Sequence, residues 1–435
     1  MEIMTVLPDL DNTNVGKLIL VIHHFYSLLS IKLTLVFKGH MSLNNKIPHF
    51  VLWLGAAISI AEISVGGLLA PLGLEKGIFV IIIGHLIGAI LMYFASMIGG
   101  ISKLPSMQSS RISFGKLGSW GFSIMNILQL IGWTSVMIIA GATALNGITK
   151  ELLNFEMFPL FAILIGLLII FYVKMKYQVF IKINAIVVFS LFILCLVLAF
   201  VIFKDTNALQ YESTQTMSIS LGIELSVIMC LSWLPLIADY TCKSDNPKVT
   251  SLLSVGAYFV GSSFMYILGL GIVLYTNSPD ISTLLLHSGL GLVALFIVLM
   301  STVTTTYLDV YSAGESFLNI TKKFSKESII IVVTTIGTAL AILIPMNQYQ
   351  NFLIMIGSVF APMIAILITD FFILKKREIR ETLDLIILPV FIIGVILYNQ
   401  MISIETFIGS SVPVIIIIGI LTLIVRKIES KIKAK

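Results

Sequence analysis

The chain has 435 residues, of which 58% are hydrophobic and only 11% are charged, with a net charge of +5 and a mean hydropathy of +1.05. A soluble domain has about 25% charged residues, so this chain has too few to cover a surface that faces water. The composition predicts an all-α integral membrane protein and argues against a soluble enzyme or a nucleic-acid-binding protein. The three cysteines lack CxxC spacing and are interpreted as packing residues.

The first 45 residues differ in composition from the rest of the chain. Residues 1–14 are polar, and the half-hydrophobic stretch 18–36 is interrupted by histidines and a lysine. A signal peptide has an uninterrupted apolar run and a small-residue cleavage site, and neither is clear here. Two interpretations stay open. Either residues 1–45 form a disordered extension, or translation starts at Met41 and the preceding residues are not made.

Apolar runs near the length of about 20 residues that spans the hydrocarbon core follow from residue 50 onward. There are twelve of them, at residues 50–73, 77–99, 119–147, 157–173, 180–203, 217–240, 250–275, 289–318, 328–345, 350–374, 384–399 and 404–425.

The charges between these runs support the count of twelve. With the N-terminus of the first run in the cytoplasm, twenty lysines and arginines fall on the cytoplasmic side and only Lys76, Lys150 and Lys204 on the other. Cytoplasmic loops of membrane proteins carry such an excess. The sequence therefore predicts twelve transmembrane helices in the cell (plasma or inner) membrane, with both termini cytoplasmic and the lipid bilayer as the main solvent.

Two of the twelve runs contain residues that interrupt helices. The first has Gly66-Gly67 and Pro71 after Glu62, and the sixth has Pro235 near its middle. Ordinary kinks are one interpretation. However, the first and sixth runs occupy matching positions if runs one to five and six to ten are inverted repeats, and paired breaks of this kind point to a transporter binding site. The sequence predicts one transporter domain over 46–430, with repeats at about 48–203 and 217–374 and terminal helices at about 384–425.

Four ionisable residues inside the predicted spans stand out: Glu62, Glu224, Asp309 and His85. Such residues are costly in a membrane, so each is a candidate for a functional role. Glu62 precedes the predicted break in the first span, which favours function. For Glu224 a structural role and a functional one stay equally open, and His85 is more typical of a hydrogen-bonded contact between helices.

The eighth span contains a dense group of hydroxyl and carboxylate side chains. Ser301, Thr304, Thr305 and Asp309 recur three or four residues apart and can share one helix face. Hydroxyl oxygens suit Na⁺ when the carbonyls of an unwound helix join them. The alternative is that they pack between helices or bond their own helix, and their number favours ion coordination.

Gln129 and Trp133 in the third span are four residues apart and lie on one helix face. An indole beside a carboxamide offers a flat heteroaromatic ring a surface to stack on and a partner for its edge. Trp233, near the predicted break in the sixth span, is a candidate second aromatic wall, with Ser232 beside it. The alternative for the tryptophans is a place facing lipid.

Four segments carry a resemblance to a known family: LGAAISIAEISVGGLLAPLG, RISFGKLGSWGFSIMNILQLIGWTSVMI, SWLPLIADYT and TTTYLDVYSAGESFLNI. They resemble nucleobase–cation symporter family 1, the purine and cytosine permeases, and within it most of all the hydroxymethylpyrimidine permeases. The resemblance covers about residues 48 to 426. It implies a LeuT-like fold of five-plus-five inverted repeats with two C-terminal helices, and transport by alternating access.

The resemblance also implies roles for particular residues. Trp133 falls where the family stacks its base, and Gln129 where the family bonds the edge of that base. The family's cation site maps onto Gly55 and Ser59 of the first span and onto Ser301, Thr304 and Thr305 of the eighth. The coupling ion is expected to be Na⁺ or H⁺, with no other cofactor, no nucleic acid and no obligatory protein partner.

Glu62 departs from the family, whose members have neutral side chains there. A carboxylate can accept from the exocyclic amine of a 4-aminopyrimidine and pair with the adjacent ring nitrogen. Glu62 is therefore predicted to select hydroxymethylpyrimidine, a thiamine precursor. With Trp133, Gln129, Trp233, Ser232 and Asp309 it forms the predicted substrate-binding set.

The sequence alone leaves other functions open. Cytosine or another nucleobase is the first alternative substrate, and an amino-acid or amine transporter on the same fold is the second. An intramembrane enzyme would need clustered nucleophiles, bases or metal ligands, and the six histidines do not cluster in sequence. A membrane sensor would need a signalling domain, for which the short loops leave little room.

Overall fold

The computed structural model describes residues 46–175, 177–204, 216–277, 291–344, 349–379 and 381–433. These residues are mostly α-helical, with a 3₁₀ turn at Ala70–Leu72. The predicted extension over residues 1–45 lies outside the described part of the chain, so the two interpretations of it stay untested.

The helices of the first half are α1 (Lys46–Ala57), α2 (Ile60–Gly67), α3 (Gly73–Ser102), the short α4 (Ser106–Ser109), α5 (Arg111–Leu153), α6 (Phe158–Val173) and α7 (Tyr177–Phe203). Those of the second half are α8 (Ile219–Thr241), α9 (Pro247–Thr276), α10 (Gly291–Ile320), α11 (Lys326–Leu343), α12 (Tyr349–Ile368), α13 (Ile387–Met401) and α14 (Ser411–Lys433). A single π-helical turn, Thr369–Ile373, extends α12.

Eight described helices are long and apolar enough to cross a membrane, and the bent pair formed by α1 and α2 makes a ninth candidate. The helices α6 and α13 are apolar but shorter, at 16 and 15 residues. The protein is therefore an all-helical membrane protein with several spans, as predicted. Among the described residues, length and composition establish eight or nine spans, which is fewer than the twelve predicted.

The first predicted span is broken, but not at the predicted place. Helix α1 ends at Ala57 and α2 begins at Ile60, with a bend of 44° between them. Ser59 has extended backbone angles and caps α2, since its hydroxyl oxygen accepts from the amide of Glu62 at 3.4 Å. The break therefore precedes Glu62, whereas the sequence placed it after Glu62.

Gly66, near the end of α2, packs closely against α9. A Cβ at Gly66 would lie 2.3 Å from the backbone oxygen of Tyr266, and a Cβ at Gly269 would lie 1.9 Å from the backbone oxygen of Ile63. The two helices thus meet backbone to backbone, which small residues permit. The glycines that were interpreted as a break are contact residues.

The predicted break in the sixth span is absent. Helix α8 runs without interruption from Ile219 to Thr241 with Pro235 inside it. Proline removes one backbone donor, but membrane helices tolerate it where neighbouring helices bond the backbone instead. The missing amide would have bonded the carbonyl of Leu231, and two side chains of α5 bond carbonyls close to it: Gln129 Nε2 donates to Ser232 at 3.0 Å and Asn126 Nδ2 to Pro235 at 3.5 Å.

The core lies around α8, which is buried along almost its whole length between α3, α12 and the other central helices. Glu224 ties α8 to the C-terminal helices. Its carboxylate accepts from the amides of Ser410 (2.6 Å) and Ser411 (2.8 Å), from the Ser411 hydroxyl (2.6 Å) and from the Tyr398 hydroxyl (2.6 Å). A carboxylate at the N-terminus of a helix such as α14 is stabilising. These contacts assign Glu224 the structural role.

A second buried polar group joins the opposite end of α14 to α12. Arg426 forms a two-pronged contact with Asp370, with Nε–Oδ1 at 3.1 Å and Nη2–Oδ2 at 2.9 Å. Its Nη1 lies 2.7 Å from Asp384 in the turn before α13, and its Nη2 donates to the carbonyl of Ser113 at 3.1 Å. One guanidinium thereby fixes four segments of the chain.

Candidate functional site

The break between α1 and α2 frees two backbone carbonyls inside the protein. In a continuous helix the amides of Ser59 and Glu62 would bond the carbonyls of Gly55 and Ile58. Here the amide of Ser59 donates to Ala57 at 3.0 Å, and that of Glu62 turns to the Ser59 hydroxyl. The oxygens of Gly55 and Ile58 therefore need other partners.

Hydroxyl groups of α10 face these two carbonyls. Ser301 Oγ lies 3.4 Å from the Ile58 oxygen and Thr305 Oγ1 lies 3.5 Å from the Gly55 oxygen. All four residues are buried. Carbonyl and hydroxyl oxygens are hard donors, and hard cations prefer them. The arrangement therefore fits a small cation held between α1 and α10.

The structure places the other two candidate cation ligands differently. The hydroxyl oxygen of Ser59 caps α2, and Ile58 rather than Ser59 supplies the second carbonyl that faces α10. The Thr304 hydroxyl donates to the carbonyl of Ser301 at 3.1 Å, within its own helix. The sequence missed Ile58, because a side-chain pattern gives no signal for a ligand that is a backbone oxygen.

Gln129 is held between α5 and α8 by its amide nitrogen. Besides its bond to Ser232, Nε2 donates to Asn126 Oδ1 at 2.8 Å, and Asn126 in turn donates to Ser316 Oγ at 2.8 Å. A backbone carbonyl can only accept, so the contact with Ser232 fixes which end of the carboxamide is nitrogen. Gln129 Oε1 is buried and has no hydrogen-bond partner among the described residues.

Trp133 lies one turn beyond Gln129 and is buried, not turned toward lipid. Its ring packs edge-on against Phe352 of α12, with centroids 5.6 Å apart at 68°. A Cβ at Gly132 would lie 2.6 Å from the Phe352 ring, so the glycine allows α12 to come close. Phe352 gave no signal in the sequence, because it lies in an evenly apolar run.

Trp233 belongs to a second group of aromatic rings. The ring centroid of Trp53 in α1 lies 5.8 Å from that of Trp233, 6.2 Å from that of Tyr258 and 6.0 Å from that of Tyr240. The ring centroids of Trp233 and Tyr258 are 6.0 Å apart. No ring contact among the described residues joins Trp133 to Trp233. The neighbouring Ser232 turns its hydroxyl to the carbonyl of Met229 at 2.6 Å, so its backbone carbonyl alone faces Gln129.

Glu62 is buried against α9. Its Oε1 lies 2.8 Å from the Tyr258 hydroxyl and its Oε2 lies 2.8 Å from Ser262 Oγ. Ser262 also contacts His85 Nε2 at 2.7 Å, and His85 Nδ1 lies 2.9 Å from the carbonyl of Ile81. The predicted helix-to-helix hydrogen bonding of His85 is confirmed. Both oxygens of Glu62 are engaged by α9, so its contacts do not favour the predicted bond to an aminopyrimidine.

Asp309 lies one turn beyond Thr305 on α10 and is buried. Its Oδ2 has no hydrogen-bond partner in the described part of the structure. The same holds for Trp53 Nε1. Unpartnered buried polar atoms are uncommon in native proteins and are often found where a ligand completes them. Trp53 was missed in the sequence, although it stands only two residues before Gly55.

Comparison with known proteins gives a family. The family described as "Permease for cytosine/purines, uracil, thiamine, allantoin" matches residues 45–425. The cytosine permeases of Escherichia coli O157:H7 and of strain K12 are each 26% identical to the chain over 336 residues, which cover 74% of this chain and 77% of each permease. The purine-cytosine permease of Emericella nidulans is 29% identical over 107 residues, 24% of this chain and 21% of that protein.

Solved structures give the fold. Mhp1, a nucleobase-cation-symport-1 family transporter, is similar in a closed conformation with bromovinylhydantoin bound (TM-score 0.73, 16% identity, 88% of this chain and 92% of that one). The inward-facing conformation of Mhp1 is similar to the same degree (TM-score 0.74, 15% identity, 88% and 90%). A Na⁺-coupled sialic acid symporter also shares the fold (TM-score 0.63, 13% identity, 89% of each chain).

These likenesses confirm the LeuT-like fold and the family that the sequence indicated; they give no support for hydroxymethylpyrimidine in particular. The chain belongs to the family of permeases for cytosine/purines, uracil, thiamine and allantoin, and it is a secondary transporter of the nucleobase–cation symporter type rather than an enzyme.

Proposed function

We propose that this protein imports a pyrimidine-type base by alternating access, driven by a cation gradient. Hydroxymethylpyrimidine is the first candidate substrate and cytosine the second. Support comes from the matched family and from the cytosine permeases at 26% identity. Among the contacts within the protein, the orientation of the Gln129 carboxamide beside Trp133 carries most weight.

The orientation of Gln129 favours a substrate with a donor on its edge. Because Nε2 is committed to Ser232 and Asn126, the atom that remains is the acceptor Oε1. A buried acceptor left without a partner costs about 1–3 kcal/mol, and an exocyclic amine would remove that cost. Both 4-amino-5-hydroxymethyl-2-methylpyrimidine and cytosine carry an amine at this kind of position.

The remaining substrate residues follow from the same geometry. Trp133 supplies the stacking face. Trp233 of α8, whose ring contacts that of Trp53, forms a second aromatic wall beside the substrate. Asp309 Oδ2 offers a further acceptor. Glu62 is left out of this set, since α9 engages both of its oxygens.

For the coupling ion we propose Na⁺ at the oxygens of Gly55, Ile58, Ser301 and Thr305, with Thr304 beside them. A bound cation would replace the long hydrogen bonds, 3.4 and 3.5 Å, that Ser301 and Thr305 donate to the two carbonyls freed by the helix break. The break between α1 and α2 holds these carbonyls opposite the hydroxyl groups of α10, so both kinds of ligand face the same point.

The proposal includes the predicted architecture in full. Each of the twelve apolar runs overlaps one described helix or, for the first, the bent pair of α1 and α2. Twelve spans, two inverted repeats (48–203 and 217–374) and cytoplasmic termini would follow. Cysteine labelling at Lys150, in the last turn of α5, and at Lys322, in the turn after α10, would test the orientation, because the two positions are predicted to lie on opposite sides.

Uptake into proteoliposomes tests the proposed substrate. Labelled hydroxymethylpyrimidine and labelled cytosine are each offered with and without an inward Na⁺ gradient. We expect saturable uptake of at least one of the two bases. The Na⁺ gradient should raise the rate of that uptake at least fivefold. Competition between them ranks the two candidates. If neither base is taken up while an amine or amino acid is, the proposed substrate class is wrong.

Replacing Thr305 with valine tests the cation site. The change keeps the shape of the side chain and removes one hydroxyl ligand, so the Na⁺ concentration for half-maximal uptake should rise about tenfold, or about 1.4 kcal/mol. Thr306 is the matched control, because its hydroxyl donates to Thr302 in its own helix at 2.6 Å. The assignment fails if Thr305→Val and Thr306→Val respond equally to Na⁺.

A further inference from the structure

We propose that Glu62, Ser262 and His85 together bind one proton, and that this proton is a coupling ion separate from the cation between α1 and α10. The proposal rests on the proposed transport function for its coupling part, but the existence of the proton site does not depend on the substrate. The three residues come from α2, α9 and α3, and all are buried.

The hydrogen bonds form one chain with fixed ends. His85 Nδ1 faces the carbonyl of Ile81, which can only accept, so Nδ1 carries a hydrogen. At the other end, Glu62 Oε1 faces the Tyr258 hydroxyl, which donates to it. Between them, Ser262 Oγ contacts both His85 Nε2 (2.7 Å) and Glu62 Oε2 (2.8 Å).

The series of hydrogen bonds from His85 through Ser262 to Glu62 needs one extra proton. Ser262 has a single hydroxyl hydrogen and can donate to only one of its two neighbours. If it donates to His85 Nε2, then Glu62 must be protonated and donate to Ser262. If it donates to Glu62, then His85 Nε2 must carry a hydrogen, which makes the ring an imidazolium. With no extra proton, one of the two contacts loses its hydrogen.

The two arrangements hold the same proton at opposite ends of the chain. The proton passes from Glu62 Oε2 to Ser262 Oγ while the serine hydrogen passes to His85 Nε2, so neutral carboxyl and neutral imidazole become carboxylate and imidazolium. Separated charges are costly in a buried site, so the neutral pair is the resting form. The site is neutral with the proton and carries one negative charge without it.

The surroundings do not supply a charge that would replace this proton. In the part of the chain that the structure describes, the other titratable groups that face Glu62 and His85 are Tyr258 and Tyr266 of α9 and Cys230 of α8, and all three are neutral side chains. Among the described residues no lysine or arginine forms an ion pair with Glu62. Deprotonation would therefore leave an uncompensated buried carboxylate.

Tyr258 connects the proton site to the proposed substrate site. Its hydroxyl donates to Glu62, while its ring contacts Trp53 and Trp233 at centroid distances of 6.2 and 6.0 Å. A base that moves this ring would change the hydrogen bonding of the carboxyl. Glu62 also lies on α2, just after the 44° bend, so a change of that bend would alter its contacts.

Infrared difference spectroscopy of the purified full chain tests the proton site without any substrate. We expect the carbonyl band of a protonated carboxyl group near neutral pH that disappears in Glu62→Gln and shifts in Ser262→Ala and His85→Gln. A band unchanged in Glu62→Gln would overturn the proposal, because Glu62 would then be ionised. The matched control is Glu75→Gln, an exposed glutamate at the start of α3.

Proteoliposomes test the coupling. Glu62→Gln imitates the permanently protonated state, so it should still exchange substrate across the membrane but lose at least tenfold in accumulation driven by a pH gradient. A variant that accumulates substrate like the wild type under that gradient would refute coupling. If the wild type transports no pyrimidine, the proposed function fails, while the infrared band still decides whether the proton site exists.

Discussion

Replacing Trp133 with alanine should raise the KM for pyrimidine uptake by about 10- to 100-fold. Stacking of a base on an aromatic side chain is worth about 1–3 kcal/mol, and about 1.4 kcal/mol corresponds to a factor of ten. Trp133 is buried next to the carboxamide of Gln129, with Phe352 against its edge, so its loss removes the proposed stacking surface. Initial uptake rates measured over a range of substrate concentrations give the KM.

The control for this change is Trp120→Ala on the same helix. Trp120 lies nearly four turns before Trp133 and contacts Lys116 near the beginning of α5, away from the proposed site. Its replacement should change KM less than threefold. Replacing Trp133 with phenylalanine keeps an aromatic face and should restore most of the affinity. Equal KM values for Trp133→Ala and Trp120→Ala would exclude Trp133 from the binding site.

Replacing Arg426 with methionine should destabilise the folded protein by about 3–5 kcal/mol, because removing one partner of a buried ion pair leaves uncompensated charge. The side chain of Asp370 is fully buried and that of Asp384 is 1% exposed. Lys376 lies 3.1 Å from Asp384 and would still form an ion pair with it. The carboxylate of Asp370 would therefore lose most of its charge compensation. The melting temperature in detergent and the amount of folded protein in the membrane measure the effect.

Lys427→Met is the matched control, since it removes the same charge at the exposed neighbouring position. It should leave the melting temperature nearly unchanged. Arg426→Lys keeps the charge but loses the two-pronged contact with Asp370, so its stability should fall between the two. Adding Asp370→Asn to Arg426→Met should recover part of the loss. No difference between Arg426→Met and Lys427→Met would contradict the prediction.

This ion-pair group also has a defined response to pH. Burial opposes ionisation of Asp384, but the charges of Arg426 and Lys376 outweigh it and hold the pKa of this carboxyl below its ordinary value. A carboxyl with a lowered pKa stabilises the fold above its unfolded-state pKa of about 3.9, and this contribution is lost as the pH falls through the lower folded-state value. Removing Arg426 should therefore shift acid unfolding to higher pH.

Much of the architecture could be predicted from the sequence because a bilayer imposes simple rules. The lengths of the apolar runs and the charges between them predicted where the helices lie, since each run overlaps a described helix, and four sequence segments indicated the family. The positions of the breaks were wrong for a physical reason. Gly66 was interpreted from its low helix propensity, but it is needed where α2 meets the backbone of α9. Pro235 was interpreted from its missing amide, but side chains of α5 bond the nearby carbonyls.

The candidate site was predictable to the extent that side chains form it. Spacing on one helix face identified Gln129 with Trp133, and it placed Ser301 and Thr305 on a common face. It could not show Ile58, whose backbone oxygen is the relevant atom, or Tyr258 and Ser262, which lie about two hundred residues from Glu62 in the chain. Glu62 was identified as unusual from its position alone, while its partners required the packing of α2 against α9.

The backbone contact between α2 and α9 has a mechanical consequence. With Gly66 and Gly269 leaving no room for side chains between them, sliding of α2 along α9 would press backbone against backbone, so we expect a movement of one helix to involve the other. The pivot for such movement is the two-residue gap at Ile58–Ser59, where one of the freed carbonyls also lies. Helix α9 packs against α1 as well as α2, so a change of the bend at this gap would alter the contacts of Tyr258 and Ser262 with Glu62, and the cation, ring and proton sites would respond together.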